Sequence, residues 1–239
     1  NYIDDTGLQV VDVVTGLLYL DPPIYSEGAS DFKVFWGKAP KDERFDYFCW
    51  DLYTRFQKKV ESSPSLQEKR EEVLHRIEGG IHPVSSFAKE LSQRIVQAHL
   101  ETVAQLSIFY DLLNWESDII REGFWEATFE LLKERGAIRL EREGPNEGCW
   151  VVPFGGLVET GEGVKSLDKI LIRSNGTVTY TGKDVAYQLW KFGLLKKDFL
   201  YKPWGLRANG ETLWTTAKQG EPGDRLPKRF GHADKVINV

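Results

Sequence analysis

Residues 168–191 constrain the fold of this chain more than any other stretch, because they combine a strand pattern, a turn signal and a helix pattern in one short segment. Aliphatic residues fill positions 170–172, and Asn175-Gly176 is typical of a two-residue hairpin turn, in which both central residues need positive φ. Residues 177–180 are β-branched or aromatic, and Thr181 can cap a helix that continues with apolar residues at helical spacing. The segment predicts a strand, a tight turn, a second strand and a helix.

Two side chains of this segment are expected at one edge of a sheet. The pattern places Tyr180 at the carboxyl end of a strand and Asp184 in the first helical turn, where the positive end of the helix favours an acid. In a doubly wound α/β sheet this edge binds ligands, and a phenol beside a carboxylate suits a cationic substrate. The alternative is a buried tyrosine with an ordinary first-turn acid, and the spacing alone favours that alternative.

The same residues resemble a motif of one enzyme family. Tyr180-Thr-Gly-Lys183-Asp184-Val185-Ala186 is similar to the Y-x-x-x-D-[IVL]-A segment of arginyl-tRNA synthetases. The chain departs from many members at Lys183, where they have Arg or Thr. The motif alone is moderately specific, and its order relative to other blocks strengthens the resemblance.

Three further blocks resemble that family and occur in its order. Residues 1–9 match an N-x-x-x-D-x-G-x-Q pattern, residues 110–135 resemble a strand followed by a helix, and residues 232–239 resemble a central strand. Within the second block, Glu116 takes the position of the family's arginine-binding glutamate. Considered without the resemblance, Glu116 can simply cap the following helix.

Hydrophobic periodicity and stop signals supply the other elements. Helices are predicted at 8–20, 45–59, 66–78, 83–105 and 122–135. Strands are predicted at 106–116, 137–140, 149–154 and 213–215. The glycine-rich stretch 155–163 is interpreted as a flexible connection rather than a phosphate loop, because its glutamates would repel phosphate.

Together, these elements predict an α/β fold: a partial Rossmann-like parallel sheet of a class I synthetase catalytic domain with a helical insertion. The predicted organisation has five parts. They are the start of the catalytic fragment (1–20), a mainly helical insertion (21–105), the α/β core with the hairpin and arginine pocket (106–192), a family-atypical insertion (193–231) and a core strand (232–239).

Composition narrows the class of protein. The net charge of −5 argues against a surface that clasps nucleic acid as a whole, although local basic pairs remain candidates for tRNA contact. No apolar run is long enough to span a membrane. Cys49 and Cys149 support neither a disulfide framework nor a metal site, so a reducing, cytoplasmic setting is expected. The chain has no methionine, and a fragment of a longer protein is expected.

The resemblance implies a function: arginine–tRNA ligase. ATP, with Mg2+, activates L-arginine as arginyl-adenylate, and the arginyl group then passes to tRNA(Arg). Glu116, Tyr180 and Asp184 would bind arginine, because two carboxylates suit a planar guanidinium. No residue is assigned a catalytic or metal-binding role. The HIGH-type and KMSKS-type elements are expected outside residues 1–239, and a monomer is expected.

Two alternatives remain open at this point. The first is a truncated, non-catalytic paralogue of a synthetase that acts as an arginine- or tRNA-binding module. The second is an unrelated α/β domain that shares only the pattern of the sheet. Under the second alternative, Asp184→Asn would leave arginine binding untouched, or the chain would not bind arginine at all.

Overall fold

The computed structural model describes residues 1–20, 43–160, 163–224 and 230–238. These residues form two compact units. The helical unit comprises Ile3–Tyr110 with Arg207–Glu211, and the α/β unit comprises Asn1–Tyr2, Asp111–Leu206 and Thr212–Val239.

Four helices of the described residues build the helical unit. They are α1 (Leu8–Tyr19), α2 (Phe45–Val60), α3 (Pro64–Glu78) and α4 (Val84–Gln105). Each predicted helix is confirmed to within a few residues, because each has a continuous apolar stripe that packs into one core. The start of α3 shows the local reason for its position, since Ser63 accepts a hydrogen bond from Leu66 N and Pro64 takes the first helical position.

The predicted organisation placed the first helix, within 1–20, in the catalytic α/β part of the chain. The helix belongs instead to the helical unit. The apolar residues of α1 pack with those of the other three helices. Its buried Asp12 also receives two hydrogen bonds from the Arg70 guanidinium of α3, at 2.6 and 3.0 Å, and a third from Gln57. Residues 21–42, the first part of the expected insertion, lie outside the described residues.

A four-stranded sheet organises the α/β unit, with strand order β1-β2-β9-β8. Its strands are β1 (Tyr2–Ile3), β2 (Leu112–Trp115), β8 (Leu200–Leu206) and β9 (Thr212–Ala217). β2 pairs in parallel with β9, and β9 pairs antiparallel with β8. The segment expected to be an insertion, 193–231, therefore supplies two strands of the main sheet.

Within the part of the α/β unit that the structure describes there are also two smaller sheets and three helices. A three-stranded antiparallel sheet has the order β3-β4-β7, and β5 and β6 form a separate pair. Their bounds are β3 (Arg139–Leu140), β4 (Trp150–Val152), β5 (Leu157–Thr160), β6 (Gly163–Ser166) and β7 (Lys169–Ile172). The helices are α5 (Glu116–Arg121), α6 (Phe124–Glu134) and α7 (Tyr180–Lys191).

Several sequence-based boundaries are corrected. The expected strand 106–116 is reduced to β2, since Leu106 is 69% exposed and residues 106–110 belong to no strand that the structure describes. The expected helix 122–135 is confirmed to within two residues as α6, and the residues before it form the separate helix α5, which ends ahead of Gly123, whose φ is 71°. The expected flexible connection 155–163 instead contains β5 and the turn-side end of β6.

The expected core strand at 232–239 is also corrected. Residues 232–238 are not assigned to any strand, and Ile237 is 76% exposed. Since a strand needs a neighbour to satisfy its backbone groups, the apolar pattern alone does not make one. Residue 239 lies outside the described residues.

Residues 168–191 form β7 and α7, and the connection between them differs from the predicted one. Only Gly176 of the turn has positive φ, at 86°. The bonds Gly176 N to Arg173 O and Arg173 N to Thr177 O fit a three-residue hairpin turn with glycine in the left-handed position. The expected second strand is limited to a bridge between Ile172 and Val178, and Thr179, not Thr181, caps the helix. Asp184 therefore lies beyond the first helical turn.

Candidate functional site

The site begins where β2 passes directly into α5. Four buried residues form the strand, and Glu116 is the first residue of the helix. An acid is favourable there because the amino end of a helix is positive. Glu116 is only 4% exposed, so its charge needs partners within the protein.

Glu116 has two partners from other elements. The ammonium of Lys183 lies 2.6 Å from Oε1, and the Tyr2 hydroxyl donates a hydrogen bond to Oε2 at 3.0 Å. The side chain of Lys183 is itself only 14% exposed. Glu116 is therefore more than a helix cap. It is joined to α7 through a largely buried ion pair and to β1 through a hydrogen bond.

Gly182 explains why Lys183 can reach that position. A Cβ added at Gly182 would lie 3.0 Å from both Leu171 O and a ring carbon of Trp125, and 2.9 Å from Val178. Only glycine allows α7 to pack this closely on β7 and α6. The close packing fixes the first turn of α7, and Lys183 with it.

Asp184 differs from Glu116 in its environment. Its side chain is exposed and accepts no hydrogen bond from any residue that the structure describes. Partial burial raises the pKa of its carboxyl, the negative charge of Glu116 raises it further, and Lys183 and Lys191 oppose both effects. Asp184 is thus a carboxylate that can accept hydrogen bonds from a bound cation.

Aromatic rings form one wall of the site. The rings of Tyr2 and Tyr187 stack with centroids 4.6 Å apart, and the Lys191 ammonium lies 4.3 Å from the centre of the Tyr187 ring. Tyr187 donates a hydrogen bond to Oδ1 of Asn114 at 3.3 Å, and burial raises the pKa of its phenol. The Nδ2 of Asn114 is buried without a hydrogen-bond partner among the described residues.

Tyr180 lies at the rim and not at the end of a strand. It is the first residue of α7 and is 75% exposed. Its spacing of four residues from Asp184 puts both on one face of the helix. The structure therefore brings Glu116 together with the first two turns of α7 and leaves Tyr180 at their outer end.

Sequence reasoning missed the residues that complete this site: Tyr2, Asn114, Lys183, Tyr187 and Lys191. The only local signal was the helical spacing of Asp184, Tyr187 and Lys191, which recur at i, i+3 and i+7. The bond between Glu116 and Lys183 joins residues 67 positions apart, and no local pattern indicates it.

The described residues show neither a metal-ligand cluster nor a membrane-spanning helix. In residues 1–20, 43–160, 163–224 and 230–238, no group of three or more His, Cys, Asp or Glu side chains is placed to hold a metal ion. The helices of those same ranges include none with the length and hydropathy needed to cross a membrane.

Comparison with known proteins gives consistent results. No protein-family model matches the chain. It is 38% identical over 240 residues to the arginine–tRNA ligase of Thermococcus sibiricus, covering 100% of this chain and 36% of that protein. It is 37% identical over 239 residues to the ligase of Pyrococcus furiosus, covering 100% of this chain and 35% of that protein. The solved Thermus thermophilus arginyl-tRNA synthetase matches with a TM-score of 0.65 and 31% identity, over 94% of this chain and 33% of that one.

The fold is therefore that of part of an aminoacyl-tRNA synthetase, and the predicted α/β class is confirmed. More particularly, the chain is homologous over its whole length to arginine–tRNA ligases. It spans 36% of the Thermococcus sibiricus relative, or about a third of such a protein.

Proposed function

We propose that this chain is part of an arginine–tRNA ligase, which uses ATP to activate L-arginine and transfers the arginyl group to tRNA(Arg). The observation that carries the proposal is the pairing of an accessible carboxylate, Asp184, with a buried one, Glu116, beside stacked tyrosine rings. Homology to ligases of that name supports it independently.

The substrate's guanidinium suits Asp184 best. It is always charged and presents five N–H donors in a plane, so it can form two parallel hydrogen bonds with one carboxylate. Asp184 offers both oxygens, whereas Glu116 already accepts from Lys183 and Tyr2. The negative charge of Glu116 acts on Asp184 and adds to the attraction of a guanidinium held there. Tyr180 is proposed to cover the outer side of the guanidinium.

The proposed chemistry is adenylyl transfer followed by aminoacyl transfer. A carboxylate oxygen of arginine attacks the α-phosphorus of ATP, and the bond to pyrophosphate breaks. A ribose hydroxyl at the end of tRNA(Arg) then attacks the activated carbonyl, and AMP leaves. The residues of this site contribute by positioning the substrate, because none of them is placed as a nucleophile or general base. ATP is proposed to bring Mg2+ as its counter-ion.

A non-catalytic binding module is the second candidate. The accessible carboxylate of Asp184 beside the buried Glu116 favours considering it, since these groups could bind arginine without ATP chemistry. Both candidates predict arginine binding, and only the ligase predicts arginine-dependent exchange of pyrophosphate into ATP by the protein that contains this chain.

Calorimetric titration tests the pocket. L-arginine and L-lysine are titrated into the wild-type chain, into Asp184→Asn and into Glu134→Gln, a control at an exposed acid of the α/β unit. We expect binding of arginine but not lysine, at least a tenfold loss in Asp184→Asn, since a charged hydrogen-bonded pair contributes about 1.5–3 kcal/mol, and no change in Glu134→Gln. Equal effects of the two substitutions would contradict the proposed pocket.

A further inference from the structure

Lys183 places an ammonium group inside the site that is proposed to bind the guanidinium of arginine. Its ammonium lies 2.6 Å from Oε1 of Glu116, and both side chains are largely buried. The next residue along the helix is Asp184, whose carboxyl is affected by the charges of Glu116 and Lys183. The arrangement therefore contains two carboxylates and a permanently attached ammonium, before any substrate enters.

We propose that Lys183 is a specificity-determining residue: its ammonium occupies the position on Glu116 that a lysine substrate would otherwise take. The inference rests on the proposed function and extends it to the discrimination between arginine and lysine. Lys183 does not react with the substrate, and it acts by filling one acceptor site and by repelling a second compact positive charge.

The chemistry of the two cations explains the selectivity. An ammonium is a compact, strongly hydrated charge, so it gains most where a buried carboxylate replaces its water. In this site that carboxylate is Glu116, and the tethered ammonium of Lys183 already satisfies it. A free lysine would have to displace a competitor whose effective concentration is high because it is attached to the same chain.

A guanidinium avoids that competition. The planar N–H groups of the guanidinium can donate to both oxygens of Asp184. No described residue donates a hydrogen bond to that carboxylate. The guanidinium is also more weakly hydrated than an ammonium, and its flat face can lie against an exposed aromatic ring such as that of Tyr180. The cost of approaching Lys183 and Lys191 is therefore offset for arginine by directed contacts that lysine cannot make.

A purely structural role for Lys183 makes a different prediction. If Lys183 serves only to neutralise the buried Glu116, its replacement should lower the stability of the fold and the affinity for every ligand together. If it excludes lysine, a neutral replacement should alter the ratio of the two affinities. The ratio is thus the quantity that separates the roles.

The experiment uses three variants of one residue. Lys183→Gln and Lys183→Thr remove the charge, Lys183→Arg keeps it, and thermal unfolding shows which variants are folded. Arginine and lysine affinities are measured by calorimetry, with agmatine as a probe that keeps the guanidinium but lacks the α-carboxylate. In a folded neutral variant we expect lysine binding to become measurable and the arginine-to-lysine ratio to fall at least tenfold, while Lys183→Arg keeps the wild-type ratio.

The possible results separate the inference from the function on which it rests. An unchanged ratio in a folded neutral variant, with arginine still bound, overturns the role of Lys183 and leaves the proposed function intact. A similar fall in the ratio for Lys183→Arg also overturns it, because that variant retains the charge. Failure of the wild-type chain and all variants to bind arginine or agmatine overturns the pocket, and this inference with it.

Discussion

Gly182 is the position where one methyl group should damage both the fold and the site. In Gly182→Ala the new Cβ would lie 3.0 Å from the backbone oxygen of Leu171 and from the Trp125 ring, and 2.9 Å from Val178. The oxygen belongs to β7 and the ring is buried, so neither can move aside easily. Relief of the clash requires α7 to move away from β7.

The size of the effect follows from two opposing contributions. Overpacking of this kind costs about 1–3 kcal/mol, and three close contacts, two of them with rigid groups, favour the upper end. Alanine is a better helix former than glycine by about 1 kcal/mol, which offsets part of the cost. We therefore expect the α/β unit to lose about 2 kcal/mol of stability, and arginine binding to weaken because Lys183 and Asp184 move with the helix.

Hydrogen exchange of the α7 amides measures this effect locally, so that unfolding of the helical unit does not obscure it. The matched control is Gly205→Ala in β8, where an added Cβ would meet nothing within 4 Å and φ is not positive. We expect the control to change protection very little. If Gly182→Ala protected α7 as well as wild type does, the close packing of α7 on β7 would be wrong.

Three further predictions concern single groups. Arg70→Met should destabilise the helical unit by about 3 kcal/mol in urea unfolding, because it leaves the buried Asp12 carboxylate without its guanidinium partner. The control Arg94→Met removes only an exposed ion pair on a helix surface and should have little effect. Arginine binding should weaken as the pH falls through the raised pKa of Asp184, because protonation removes the charge that attracts the guanidinium. The loss should begin at a higher pH than for an ordinary aspartate, and a binding constant independent of pH between 7 and about 4 would contradict this. Tyr180→Phe should leave the melting temperature unchanged, since the side chain is exposed, and a calorimetric comparison with wild type measures whether its hydroxyl contributes to arginine binding.

The elements that the sequence predicted well are those with local signals. The helices of the helical unit follow from their apolar stripes, and β7 and α7 follow from a strand pattern, a glycine turn and apolar residues at helical spacing, although the cap is Thr179 and not the predicted Thr181. The errors come from segments whose structure depends on a distant partner. Residues 106–111 have the alternation of a strand but belong to no strand that the structure describes, and residues 232–238 form none either.

The site was predictable only in part. Glu116, Tyr180 and Asp184 were proposed from a resemblance, and the structure places Glu116 beside the helix that carries the other two. The pairing of Glu116 with Lys183 and the stacking of Tyr2 on Tyr187 connect residues that are far apart in sequence. Such contacts arise from the packing of α7 on the sheet, and a single sequence contains no signal for them.

The most direct test of the central claim is charging of tRNA(Arg) by the full-length protein. Wild type and Glu134→Gln should attach arginine to tRNA in the presence of ATP, and Asp184→Asn should raise the KM for arginine by at least tenfold. Normal charging by Asp184→Asn, with an unchanged KM for arginine, would contradict the assignment of this site.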